Sequence, residues 1–439
     1  MKTTIKKELL LESLKKGAYA ALSDEAQSDT STLSPIIKAV KITTTSDEIV
    51  FESSTALISS RYVLPVDGDT VVKEDGVIMV GAKDLYEWVN RSGDCYIGFS
   101  SKDLKDPQTV NVVGDGADVA SKSLIKKVCK VNLVSRDDSK TGSKWALDGY
   151  DSSVVPELID LKNDEKPLFE ITLDKLIEAV KLTSFSVLPK DPEHIFDSLS
   201  FQKMGDDIYV VSTDATRCAA FKISDANIGT IEECISYEDI RNGNNSNAYG
   251  YNVLVSQKFL NDASKLLSKN HVVGFYRDET KNKVYISQPG FAIKFSTAEK
   301  DAVSKFPPVS LFLAKKYEDL CIVDKQTLLN RLNTVSLVNK NAIMFDFQND
   351  QLILHGMSEM GYAPCQANME VKNLSDDIKK VWNVKHFLES LKVFESDDIK
   401  IMLPSVTEKN SVRVVDPSKE NLLYISMAIE KSKYETDSN

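Results

Sequence analysis

The stretch VVSTDATRCAAF, residues 210–221, sets a carboxylate, two hydroxyls and a guanidinium within five positions, Thr213 to Arg217, between two apolar runs. Asp214 beside Arg217 could act as a general acid paired with an oxyanion clamp. The same groups could recognise a ligand, or tie a hairpin turn through Asx-type hydrogen bonds. Catalysis would need partners. The four histidines, His194, His271, His355 and His386, show neither the i, i+4 spacing of metal ligands nor a nearby nucleophile signature. There is no GxSxG, no GKS/T loop and no Gly-rich dinucleotide fingerprint. A metal-dependent DNA-processing hydrolase would need a carboxylate cluster, whereas the acids are scattered. No cofactor and no metal is expected, and the five residues read as structural or recognition groups in a protein that is not an enzyme.

The chain that positions them has 439 residues, too many for one ordinary core. Its 54 basic and 65 acidic side chains leave a net charge of −11, which argues against a uniformly basic coat but leaves room for a local basic surface. The six cysteines are far apart and form no CxxC pair, the pattern of reduced thiols in a cytoplasmic protein. No apolar run reaches transmembrane length, so no membrane partner is expected. The N-terminal MKTTIKKELLLESLKKGAYAA carries lysines like a signal peptide, but Glu8, Glu12, Lys15 and Lys16 interrupt it. It reads as an amphipathic helix.

Three segments share one grammar of strand, polar turn and strand: residues 40–56, 199–215 and 343–359. Each follows a stretch of helical periodicity (5–16, 172–182, 325–334) and precedes another (82–91, 257–269, 384–392). Strand-like sequence comes after each second helix. The fold class is therefore α+β, three repeats of helix, strands, helix, strands. The expected domains are 1–160, 161–308 and 309–439, the last with a short C-terminal extension. The joints are 154–167 and 300–320, where Pro307-Pro308 favours an extended connector. A polar stretch near 101–142 reads as a surface insertion.

Over those bounds the six helices sum to +7, so the remainder carries −18. That contrast predicts helices facing a polyanion and sheets facing away. Lys15, Lys16, Lys175, Lys181, Lys265, Lys269, Arg331 and Lys392 are the candidates to neutralise phosphates without reading bases. No aromatic residues interleave with them, so double-stranded DNA fits better than a single-strand stacking platform.

Over nearly its whole length the sequence resembles the bacterial DNA polymerase III β sliding clamps. The resemblance rests on LSPIIKAVKITTTSDEIVFESS, DPEHIFDSLSFQKMGDDIYVVSTDATRCAAF, SKFPPV, VWNVKHFLESLK and LLYISMAIE in that order. It implies a DNA clamp fold with helices lining an inner surface and antiparallel sheets outside, closed as a head-to-tail homodimer ring. It also implies a processivity factor that tethers DNA polymerase and clamp loader through short linear peptide motifs. The subunit seam would include Trp145, Leu147 and Leu337. The peptide groove would draw on Phe196, Thr213, Ala215, Thr216, Arg217, Pro307, Asn383, His386, Ser411, Ile425, Met427 and Ile429. This sequence departs from the family pattern at several of these. Ala215-Thr216 stands for Gly-His, His386 for Tyr, and Met427-Ala428-Ile429-Glu430 for Met-Pro-Met-Arg. Those departures fit a groove tuned to other peptides, as a phage or mobile element encoding its own clamp would have. The alternative is a replication scaffold that never encircles DNA.

Overall fold

A computed structural model describes residues 1–31, 33–93, 95–109, 125–136, 141–154, 159, 166–191, 195–243, 250–278, 282–298, 300–339, 341–356, 365–405 and 410–429. Each repeat runs strand, helix, a run of strands, helix, three strands. The first helices are Lys7–Gly17, Leu173–Thr183 and Lys325–Val335; the second are Ala82–Arg91, Gln257–Leu266 and Val384–Val393. The three expected hairpins are Ala39–Thr44 with Glu48–Ser54, Ser198–Met204 with Asp207–Thr213, and Ile343–Gln348 with Gln351–Gly356. Helix starts follow the local side chains: Thr172, Asp324 and Asn383 each accept a backbone N–H of the first turn.

Compactness divides the chain into two units, residues 1–168 with 265–296, and residues 169–264 with 297–439. In the first, one sheet contains Thr70–Glu74, Lys2–Lys6, Tyr96–Thr109, Lys126–Arg136 and Thr141–Tyr150 in that spatial order. Its apolar face meets the helices Lys7–Gly17 and Ala82–Arg91, which pack on each other, burying Leu10, Leu14, Leu85 and Val89 against Ile97, Phe99 and Leu133. Each fully buried side chain of this kind contributes about 1.5–3 kcal/mol. In the second unit, Asn252–Ser256, Ser198–Met204, Asp207–Thr213, Arg217–Ile223, Leu422–Met427, Ser411–Val415, Asp398–Pro404 and Tyr317–Asp324 form one continuous sheet.

A single rule governs how repeats join. With strands counted within the run between the two helices, the last strand of the second repeat, Phe291–Ser296, pairs with the third strand of the first, Ile58–Pro65. The last strand of the third repeat, Leu422–Met427, pairs likewise with the third strand of the second, Arg217–Ile223. Two strands that the rule would pair stay at sheet edges: Thr141–Tyr150, last of the first repeat, and Cys365–Glu370, third of the last.

Several expectations need correction. Lys6 lies in a strand, not in the first helix. The helix Gln257–Leu266 stops short of Lys269 because the Gln288 amide ties the following turn, accepting from Ser268 N at 2.7 Å and donating to the carbonyls of Ser268 and His271. Without Lys6 and Lys269 the helix excess of +7 becomes +5. In its described part, the stretch 101–142 is paired strand: Tyr96–Thr109 runs against Lys126–Arg136, with a bulge between Asp103 and Gln108. Lysine-rich composition masked an alternation in which Val131 and Leu133 point inward. Residues 110–124 and 137–140 fall outside the described residues. Short helices at Lys300–Val303 and Val309–Leu313 replace the extended connector, Pro308 serving as N-cap of the second. Leu147 is core, 8% exposed, so its side chain is not available to a seam.

Candidate functional site

Thr213 ends one strand, Arg217 begins the next, and Thr213 pairs with Cys218. The intervening residues reverse the chain with Ala215 at φ 69°. That left-handed conformation costs a residue with a Cβ roughly 1–2 kcal/mol. The Asp214 carboxylate holds the turn: Oδ1 accepts from Thr216 N at 2.9 Å, Thr216 Oγ1 at 2.7 Å and Arg217 N at 3.0 Å. Thr213 Oγ1 donates to the Arg217 carbonyl at 2.6 Å and accepts from Ala215 N at 3.1 Å. Replacing Ala215 by Gly should raise stability by about 0.5–1 kcal/mol, strain relief exceeding the added freedom of the unfolded chain. Urea unfolding measures this, and a loss of stability would mean that the Ala215 methyl group packs productively.

Arg217 is buried. Its Nε donates to Asp214 Oδ2 at 2.8 Å, and Nη1 donates to Glu389 on the helix Val384–Val393. Burial pushes the Asp214 pKa up, but the Thr216 hydrogen bonds and the Arg217 charge outweigh it and hold the carboxyl below its usual range. Burial and the Arg217 charge lower His386 to about 4, against the pull of Asp214 and Glu389, so its ring is neutral at pH 7. His386 Nδ1 lies 3.1 Å from Ser426 Oγ and Nε2 lies 3.9 Å from Asp214 Oδ2.

Serine, histidine and aspartate are thus assembled, but Ser426 is 0% exposed and no substrate reaches it. The Cys218 thiol is likewise buried, and burial pushes its pKa up. Among the described residues no cluster of three or more His, Cys, Asp or Glu could hold a metal. What the arrangement can do is hold shape. It fastens the turn of the second repeat to a helix of the third.

Beside this knot lies a cavity of about 200 Å³. Its walls are Thr213, Ala215, Thr216 and Arg217 from the turn, Cys218, Ile425 and Met427 from the paired strands, Ser411, and Leu311, Phe312, Lys315 and Tyr317. Ser411 Oγ accepts from Lys315 Nζ at 2.8 Å and lies 3.1 Å from Tyr317 Oη. The result is an apolar trough with a polar edge, suited to apolar side chains of an extended segment.

Of the expected groove residues, Thr213, Ala215, Thr216, Arg217, Ser411, Ile425 and Met427 line the cavity. The five others do not line it. Phe196 packs on Phe306, ring centroids 6.3 Å apart; the Pro307 carbonyl accepts from Gln202 Nε2 at 3.1 Å; Asn383 Oδ1 accepts from Lys385 N at 3.0 Å. His386 belongs to the knot, and Ile429 N donates to the Val381 carbonyl at 2.8 Å. Glu430 and His194 lie outside the described residues. Cys218, Leu311, Phe312, Lys315 and Tyr317 were missed. The available signal was the apolar run Leu311-Phe312-Leu313, two residues past Pro307-Pro308, where proline starts a short helix rather than preventing one.

On the helices, Lys15, Lys181, Lys265, Arg331 and Lys392 are exposed. Lys16 instead pairs with Glu12 at 2.7 Å and sits 5.0 Å from the Tyr62 ring centroid, and Lys175 pairs with Glu178 at 3.2 Å. Lys269 is exposed in its turn.

The three-fold repeat and its strand exchange define the α+β clamp fold. Among solved structures, the chain is similar to DNA polymerase III subunit beta of Pseudomonas aeruginosa, with a TM-score of 0.71, 16% identity, and 98% of this chain and 100% of that one covered. It is similar to the beta subunit from DNA polymerase of Streptococcus pyogenes (TM-score 0.71, 15% identity, 98% and 100% covered) and to the DNA polymerase sliding clamp of Bacillus subtilis (0.70, 17%, 98% and 99%). No protein-family model and no curated protein sequence matches the chain. No helix among the described residues is long and apolar enough to cross a membrane.

Proposed function

We propose that this chain is a DNA sliding clamp: a non-catalytic processivity factor that closes around duplex DNA as a head-to-tail dimer and holds polymerase and clamp loader by short peptides. The observation that carries this reading is the pair of edge strands left over by the joining rule. Pairing Thr141–Tyr150 of one copy with Cys365–Glu370 of another applies the rule a third time, and doing so twice consumes every such edge. A heterologous contact of this kind gives a closed ring if the rotation closes and a filament if it does not. Leaving the edges bare would invite aggregation. Trp145 on the first edge strand is 36% exposed and stacks on Trp88 with centroids 6.2 Å apart; Leu337 is 83% exposed. Both suit the seam. The exposed cations on the helices would meet the phosphates.

Retention on nicked circular against linear duplex, after loading, tests the ring. A topological clamp stays on circles and runs off free ends, and equal loss from both would refute it. Trp145→Ala should weaken dimerisation at least tenfold in sedimentation, through loss of a buried aromatic at the seam. An unaltered dimer would remove Trp145 from the interface.

The cavity at the Thr213–Arg217 turn serves, in this reading, as the peptide groove. Two or three apolar side chains buried there would contribute about 1.5–3 kcal/mol each. With Ala215-Thr216 in place of Gly-His, a QLxLF peptide should bind at least tenfold more weakly than to the Bacillus subtilis clamp. Titration calorimetry measures both, and equal affinities would show that the groove has not been retuned.

A further inference from the structure

The five-stranded sheet of the first unit has a second face, turned away from its helices. Its side chains fall in four cross-strand rows fixed by register: Lys6, Tyr96 and Arg136; Thr4, Gly98, Val134 and Lys144; Lys2, Ser100, Asn132 and Ala146; and Lys102, Lys130 and Asp148. Six cations thus share a face whose rows contain two acids, Asp148 and, on the edge strand Thr70–Glu74, Glu74 as register partner of Lys2, in a chain of net charge −11. Asp148 bonds Lys130, and Lys6 lies 3.7 Å from Asp69. Lys2, Lys102, Arg136 and Lys144 are exposed, and among the described residues none of the four has an ion-pair partner.

We infer that this face is a second, outer binding surface for the phosphate backbone of duplex DNA, separate from the helices. Lys102 and Lys130 are direct register partners, an arrangement of like charges that destabilises a sheet; Asp148 relieves it on the Lys130 side, and an anion across Lys102 would complete the relief. Lateral spacing of about 4.8 Å between strands and about 6.8 Å between successive outward residues makes a lattice of cations. Thr4, Ser100 and Asn132 between them are the hydroxyl and amide donors that phosphate contacts use. A protein partner is disfavoured, because interfaces between proteins are depleted in lysine and enriched in aromatics, while this face has the reverse composition. Tyr96 is its one aromatic side chain, too few for a stacked single strand. Contact would be independent of sequence.

The test uses the full chain and relaxed, covalently closed circular duplex without a loader, so that a closed ring cannot thread it. The wild-type protein should bind with a salt-dependent affinity. A triple variant, Lys2→Gln, Lys102→Gln and Lys144→Gln, should reduce the slope of log K against log salt by about three. The corresponding lysine-to-arginine variant should keep the slope, which separates lost charge from damaged fold. Reversing Lys15, Lys181, Lys265 and Arg331 on the helices should leave this binding intact. An unchanged slope in the glutamine variant would overturn the proposal, as would loss of binding in the helix variant alone. Stronger competition by a single-stranded oligonucleotide of equal phosphate count, or by polyglutamate, would overturn the assignment to duplex.

Discussion

Arg217→Ala should lower the stability of the second unit by about 3–5 kcal/mol, the cost of breaking a buried ion pair from one side. At roughly 2–4 °C per kcal/mol for a unit of this size, the thermal midpoint should drop by roughly 6–20 °C. The substitution leaves Asp214 and Glu389 facing each other with no cation between them, and removes the partner that draws the helix Val384–Val393 to the turn. Arg217→Lys should lose less, since it keeps the charge without the two-pronged geometry. A pH titration supplies a second readout. His386 takes up a proton near its ordinary value of 6.5 when unfolded, but only near 4 when folded. Between those values the unfolded state binds more protons, so the contribution of neutral His386 to stability is complete above about 6.5 and lost as pH falls toward 4. Removing the Arg217 charge should raise the folded value and narrow that window. A variant within about 1 kcal/mol of wild type, with an unmoved His386 titration, would show that the knot does not hold the site.

The second large effect is on DNA. Reversing Lys15, Lys181, Lys265 and Arg331 to Glu should abolish retention on nicked circular duplex while the dimer survives. Each phosphate contact contributes about 0.9 to the salt slope, and four positions present twice in a closed dimer remove up to about seven. Gel filtration of crosslinked complexes across a salt series measures it. Retention equal to wild type would mean that these helices do not face the duplex.

Much of this was legible in the sequence because the repeat is strong. Hairpins whose alternation resumes around Ile49, Ile208 and Leu352, and helices with apolar residues at i, i+3 and i+4, show in the sequence pattern alone. What hid was tertiary. Leu147 alternates like an edge residue, yet its burial depends on helices distant in sequence. Arg217 looked like a ligand contact, and only the fold brings Glu389, 172 residues on, against its guanidinium. The strands after Tyr96 carry so many lysines that solvent-facing positions drowned the inward alternation of Val131 and Leu133. The cavity wall at Leu311 and Phe312 was masked by a proline pair that caps a helix instead of blocking one.

The strand exchange also decides what can be cut and moved. The period written in the sequence and the packing of the chain are out of phase, because the second and third repeats each lend their last strand to the one before. A chimera exchanging residues 1–168 alone would strip Ile58–Pro65 of its partner Phe291–Ser296; one that carries 265–296 along keeps that pairing. The stretch that keeps this pairing is therefore discontinuous in the gene, and recombination at either repeat boundary parts one pair of exchanged strands.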